Sequence, residues 1–181
     1  MRHSAARCTH VVLIGPMGSG KSTVGAALAS RLGVPLVDLD LRIVALAGSS
    51  IPALFASEGE AGFRIHEANA LQQALAEPCA VIASGGGAVL AEANRAAMRD
   101  GARVVYLQVD RDTQLARLAG DTARPLLQGQ DHAQRLAQLQ AQREPLYRST
   151  AHFTLDASKL APEQAAEAIE QLLASTEVSP A

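Results

Sequence analysis

Eight consecutive residues, Gly15-Pro16-Met17-Gly18-Ser19-Gly20-Lys21-Ser22, carry the spacing G-x-x-x-x-G-K-S directly behind the apolar run Val11-Val12-Leu13-Ile14. A strand, a glycine-rich turn and a helix starting near Lys21 form the setting in which such a loop binds phosphate. Glycines permit turns that side chains forbid, so the amides around Gly18, Ser19 and Gly20 can converge on phosphate oxygens. The helix that continues through Thr23 adds the positive end of its dipole at the same place. Lys21 would reach the β- and γ-phosphates, and the Ser22 hydroxyl would ligate Mg²⁺. The chemistry implied is binding of a nucleoside triphosphate.

Other residues could act on a second substrate. Asp38 and Asp40 stand two apart at the end of an apolar run, so on a strand they share one face. One carboxylate could help hold the Mg²⁺ hydration shell and the other accept a proton from an attacking hydroxyl; a turn or helix N-cap is the plainer use of aspartate. On a helix Arg64 faces Glu60 and Glu67, either as surface ion pairing or as a guanidinium held rigid to grip a carboxylate. Gly85-Gly86-Gly87 follows another apolar run, where it is a flexible turn or a place for close backbone approach to a ligand. Arg117, Arg124 and Arg143 are spread along a later segment and read individually as solvated helix residues. Arg124, ahead of Pro125, could swing onto a transferring phosphate.

The elements that must position these groups alternate. Strand candidates are 10–14, 36–39, 80–83, 103–109 and 152–155, and helices are expected at about 21–32, 50–57, 60–76, 90–99, 111–119, 131–146 and 161–174. Such a series predicts an α/β fold with a mainly parallel sheet covered on both faces, with ligands at the carboxyl ends of the strands. Residues 120–131 break the pattern as a mobile lid would. The 181 residues suit one domain, with its core at about 10–175, and aromatics of only 3% imply an aliphatic core. A net charge of −2 gives no electrostatic case for nucleic acid or a membrane surface, and no apolar run is long enough to span one. Two cysteines, Cys8 and Cys79, make no disulfide framework, and Cys79 reads as a small core residue. A cytoplasmic protein is expected.

Taken together, the motifs G-P-M-G-S-G-K-S, V-D-L-D, E-G-E-x-x-F-R-x-x-E, S-G-G-G-A, R-P-L-L and R-x-x-x-Y, running from Gly15 to Tyr147, closely resemble those of shikimate kinases. That resemblance implies a P-loop fold of nucleoside-monophosphate-kinase type, with a five-stranded parallel sheet in the order 2-3-1-4-5 and a mobile lid. It implies ATP-dependent phosphorylation of the shikimate 3-hydroxyl, with Mg²⁺, in a monomer serving chorismate and aromatic amino acid synthesis. By the same resemblance, Lys21 and Ser22 serve the phosphates and metal, Asp38 sits near the metal, and Asp40 binds the shikimate hydroxyls and is the candidate base. Arg64 and Arg143 clamp the carboxylate with Glu67 in support. Gly86 and Gly87 offer backbone N–H groups, Arg124 is the lid arginine, and Arg117 lies along the adenine. Two positions depart from the pattern: Arg42-Ile43-Val44 lacks the acid many members carry there, and the loop 156–162 offers only Lys159. A gluconate-kinase-like enzyme and a nucleotide-binding module without turnover are the rival expectations.

Overall fold

A computed structural model describes residues 9–119 and 132–175. Among them five parallel strands, β1 (His10–Ile14), β2 (Leu36–Asp38), β3 (Val81–Ala83), β4 (Ala102–Gln108) and β5 (Phe153–Asp156), lie in the order β2-β3-β1-β4-β5. The helices are α1 (Lys21–Leu32), α2 (Leu39–Ala47), α3 (Ile51–Ala76), α4 (Glu92–Gly101), α5 (Arg111–Leu118), α6 (His132–Thr150) and α7 (Pro162–Ser175).

Period-two alternation along the strands divides the core into two layers. Val12, Ile14, Ile82, Val104 and Tyr106 face α2, α3, α4 and α6, where they meet Leu39, Phe63, Leu71, Met98 and Tyr147. Val11, Leu13, Val81, Val105 and Leu107 face α1 and α7, packing on Val24, Leu28, Ala166 and Ile169. A smaller cluster of Met17 with Leu136 and Leu139 seats the tip of the glycine loop on α6. The sheet order and the helical cover agree with expectation.

The differences from the expected elements are local. Helix α2 was not expected, because Leu39 to Ala47 is apolar on nearly every side. Leu39 and Ile43 are buried while Leu41 and Leu46 are exposed, so hydrophobicity carries no stripe for the eye to find. Its start is written in chemistry instead: Asp38 Oδ1 accepts from the N–H groups of Asp40 (3.0 Å) and Leu41 (3.3 Å). Asp40 therefore belongs to the first turn of α2, and the two aspartates do not share a strand face. The helices expected at 50–57 and 60–76 run together as α3, bent at Gly59 (φ 70, ψ −174). Helix α6 runs on to Thr150 despite Pro145, whose ring normally ends a helix. Burial of Tyr147, stacked on Tyr106 with ring centroids 5.1 Å apart, holds this last turn in place. Cys79, expected as a small core residue, lies half-buried in the bend before β3 and is disulfide-bonded.

Candidate active site

Every strand that supplies a site residue delivers it at its carboxyl end. After β1 the loop 15–20 turns through Gly18 (φ 75) and Gly20 (φ 90) into α1. Lys21 Nζ donates to the carbonyls of Gly15 (2.9 Å) and Pro16 (2.7 Å) and to Ser19 Oγ (3.3 Å). Its ammonium is thereby folded over the mouth of the loop. Ser22 Oγ donates to Asp38 Oδ2 across 2.6 Å, joining the start of α1 to the end of β2. Asp38 is thus both cap and site residue, one oxygen for each task. These side chains open on a cavity of about 330 Å³ that also reaches Thr23, Asp40, Ser84, Gly85, Gly86 and Arg117.

Of the three glycines after β3, Gly85 and Gly87 each exclude a side chain for a different neighbour, while Gly86 has room for a methyl group. A Cβ on Gly85 would stand 2.7 Å from Glu67 Oε1 and 3.2 Å from Asp40 Oδ1. One on Gly86 would meet Gly15 O and Met17 N of the phosphate loop at 3.5 Å, and one on Gly87 would sit 2.5 Å from Arg64 Nη1. None of the three has a left-handed backbone, so the requirement is space rather than φ. Asn94 and Arg95 of α4 pin the turn that follows, donating to the carbonyls of Ala88 (3.1 Å), Val89 (2.7 Å) and Leu90 (3.0 Å).

Glu67 is the hub of the polar chemistry on this side. It is 1% exposed and accepts from Arg64 Nη1 at 2.7 Å, while Arg64 Nη2 reaches Glu60 at 2.9 Å. Burial raises the Glu67 carboxyl above the usual carboxylate range; the Arg64 charge opposes this, nearby Asp40 adds to it, and Arg143 opposes it weakly. Those same influences place Asp40, Arg64 and Arg143 around one carboxylate. Arg143 is only 5% exposed, donates Nη1 to the Gly86 carbonyl at 3.3 Å, and its Nε has no partner among the described residues. Arg64 Nε is likewise buried and unpaired. One buried and one half-buried guanidinium group, each with a spare donor, are suited to receive an anion.

Arg117 of α5 lies where the glycine loop meets the turn after β5. Its Nη1 donates to Gly18 O (3.3 Å) and Ser19 O (3.4 Å), and its Nη2 to Ala157 O (3.0 Å). Beside it a second hollow of about 160 Å³ is lined by Gly20, Thr23, Val24, Arg117, Leu160 and Pro162. Gln114, buried on the same helix, donates to Met17 O at 2.8 Å and fixes α5 to the loop. Arg124 and the segment 120–131 lie outside the described residues. No group of three or more metal-ligating side chains occurs among those described, so a cation here would rely on few protein oxygens.

Sequence reasoning missed part of the support. Tyr106 donates to Glu144 (2.5 Å) and accepts from Gln140 (3.2 Å), and Arg148 pairs with Glu144 at 2.7 Å. Burial raises the Tyr106 phenol well above its ordinary range, and that of Tyr147 to about 12, so both hydroxyls stay protonated donors. A tyrosine in the middle of an apolar strand was the available signal for Tyr106. The spacing of four from Arg143, which puts both on one helix face, was the signal for Tyr147.

Known proteins resemble this arrangement closely. The sequence profile of shikimate kinases matches residues 17–174. The shikimate kinase of Xanthomonas campestris pv. campestris (strain 8004) is 49% identical over 164 residues, 91% of this chain and 89% of the relative. The solved structure of the Acinetobacter baumannii shikimate kinase in complex with shikimate aligns with a TM-score of 0.92 at 39% identity, covering 94% of this chain and 96% of that one. A gluconokinase from Sinorhizobium meliloti 1021 aligns at 18% identity and a TM-score of 0.57 over 96% of this chain and 99% of its own, which shows a shared fold and no more. By profile, identity and coverage, the chain belongs to the shikimate kinase family.

Proposed function

We propose that this member of the family transfers the γ-phosphoryl group of ATP to the 3-hydroxyl of shikimate, on the way to chorismate and the aromatic amino acids. One juxtaposition carries the reading: Gly85 lies between Glu67 and Asp40, joining the arginine-bearing side of the site to the phosphate-loop crevice. Shikimate is a small polyol with one carboxylate. Arg64 and Arg143 receive the acid, and Asp40 takes the hydroxyls at the crevice edge.

The reaction needs positioning and charge neutralisation more than covalent chemistry. Lys21 releases the carbonyls of Gly15 and Pro16 and turns its ammonium onto the β- and γ-phosphates. The amides of residues 18–23 bind the phosphate oxygens at the head of α1. Asp40 orients the 3-hydroxyl and accepts its proton as the oxygen attacks. Gly86 and Gly87 direct backbone N–H groups into the space between acceptor and nucleotide. Arg117 lies along the adenine, and Arg124, from the lid at 120–131, meets the transferring phosphate and closes the site to water. The Ser22 hydroxyl and the Asp38 carboxylate are hard oxygen donors, hydrogen-bonded to each other at the mouth of the loop, and they would hold Mg²⁺ with the phosphates. When bound, that ion draws negative charge from the phosphate oxygens.

The enzyme works as a monomer in the cytoplasm on small molecules, without nucleic acid or membrane. In support, no single helix among the described residues is long and apolar enough to cross a membrane; the pair α2 and α3 passes that test only jointly, across a 90° bend.

Steady-state kinetics of two variants test the assignments. Asp40→Asn should lower kcat by about 10²- to 10⁴-fold, the usual worth of a positioned base. Arg64→Ala should raise the shikimate KM about 10- to 100-fold with the ATP KM held, as expected for charge-assisted bonds. A collapse of ATP affinity in Arg64→Ala with shikimate affinity kept would contradict the carboxylate clamp.

A further inference from the structure

The Gly86 carbonyl is an unusual acceptor. It takes the Tyr147 hydroxyl at 2.5 Å and Arg143 Nη1 at 3.3 Å, two donors one helical turn apart on α6. Gly86 has no side chain, so the tilt of its peptide plane is set by what its backbone atoms bond. Arg143 has other donors that binding a carboxylate requires. We propose that Tyr147 is a positioning residue for substrate capture: by bonding the Gly86 carbonyl it fixes the glycine turn and leaves the Arg143 guanidinium free to grip the carboxylate.

The surroundings make the tyrosine suited to this. Tyr147 is 0% exposed, and its ring is stacked on Tyr106 at an interplanar angle of 21°, so the hydroxyl oxygen is held in place beside the Gly86 carbonyl. Tyr106 points its own hydroxyl away, toward Glu144. The two buried phenols thus share one ring stack yet serve different elements: one the glycine turn, the other α6 itself. Without the Tyr147 hydroxyl, Arg143 is the side-chain donor left to that part-buried carbonyl among the described residues, and losing a partner away from water is costly. The arginine is then drawn toward the protein at the expense of its ligand.

The proposal rests on the reading of Arg143 as a carboxylate ligand, and Tyr106→Phe supplies its control. Kinetics with varied shikimate and varied ATP, together with thermal melts, are measured for the wild type, Tyr147→Phe, Tyr106→Phe, Arg143→Ala and the double variant Tyr147→Phe/Arg143→Ala. Tyr147→Phe should raise the shikimate KM about 5- to 10-fold, the worth of one buried hydrogen bond, and leave the ATP KM unchanged. Tyr106→Phe should lower the melting temperature comparably without moving the shikimate KM. In the Arg143→Ala background the added Tyr147→Phe change should have no further effect on that KM, because the tyrosine acts through the arginine. An unchanged shikimate KM in Tyr147→Phe, an equal rise in Tyr106→Phe, or full additivity in the double variant would overturn the proposal. A wild-type protein that neither binds nor phosphorylates shikimate would instead overturn the functional reading beneath it, a result visible before any variant is made.

Discussion

At the scale of single residues, Glu67 holds a charge where water scarcely reaches, and Arg64 is what makes that tolerable. Its carboxyl is raised above the ordinary value near 4.3, so the folded state binds its proton more tightly than the unfolded chain. The stability this proton contributes is present at low pH and is lost as pH rises through the raised value. Glu67→Gln removes the titration while keeping the shape. Melting temperatures of the two proteins from about pH 4 to about pH 7 should show the wild type losing ground to the variant as pH rises; parallel curves would mean that Arg64 cancels the burial. Lys21 gives a second test at this scale. Its ammonium rests on loop carbonyls, so Lys21→Ala should leave the fold intact and cut turnover by about 10²-fold or more, as loss of one preorganised donor does. Both residues could be singled out from the chain, Lys21 by its motif and Glu67 by helical spacing from Arg64. That Glu67 is buried could not, because the glycine turn that covers it comes from a different strand.

At the scale of elements, the glycine turn after β3 shows why glycine is needed at two positions, Gly85 and Gly87, where a turn asks for one. Substitutions there should separate by what the new methyl would strike. Gly85→Ala drives into a buried carboxylate already tied to Arg64 and should cost about 1–3 kcal/mol in chemical unfolding. Gly87→Ala strikes the Arg64 guanidinium and pushes it from Glu67, so stability should fall by about 1–3 kcal/mol and the shikimate KM should rise as well. Gly59→Ala is a third case, since nothing crowds it but its backbone (φ 70, ψ −174) suits glycine alone; a loss of about 1–3 kcal/mol is expected. The apolar runs disclosed the strands and their order of use, whereas α2 was hidden because burial of its Leu39 face and exposure of its Leu41 face are decided by neighbours. Asp40 was misplaced for the same reason: the pair of aspartates was visible, but the Asp38 cap that turns the chain into a helix between them depends on geometry. Pro145 misled in the opposite direction, with tertiary packing of Tyr147 overriding a local breaker.

At the scale of the whole molecule, the sheet is a plate between two aliphatic layers, with nucleotide hollows along one edge and the arginine pair beyond β3. The far side of the plate is closed by different means. His152 Nδ1 accepts the Val104 N–H at 3.0 Å, tying the lead into β5 to β4. Burial, with help from Arg99 and Arg103, lowers its pKa, so the neutral ring belongs to the folded state. The stability it contributes is present above its unfolded value near 6.5 and is lost as pH falls through the lowered folded value. His152→Asn should flatten that part of the stability profile in melts taken between about pH 7 and pH 5. The composition and the order of motifs conveyed an aliphatic α/β fold with a mainly parallel sheet. How α6 presses Arg143 and Tyr147 against the Gly86 turn was not legible from spacing, because it joins residues 57 and 61 positions apart.

The central claim is the acceptor, and ADP release tests it most directly. Purified protein is mixed with Mg-ATP and either shikimate, gluconate or no acceptor, and ADP is followed by a coupled assay. Release with shikimate should lie far above the other two, which should match each other. Equal rates in all three mixtures, or a preference for gluconate, from folded protein that binds ATP would contradict it.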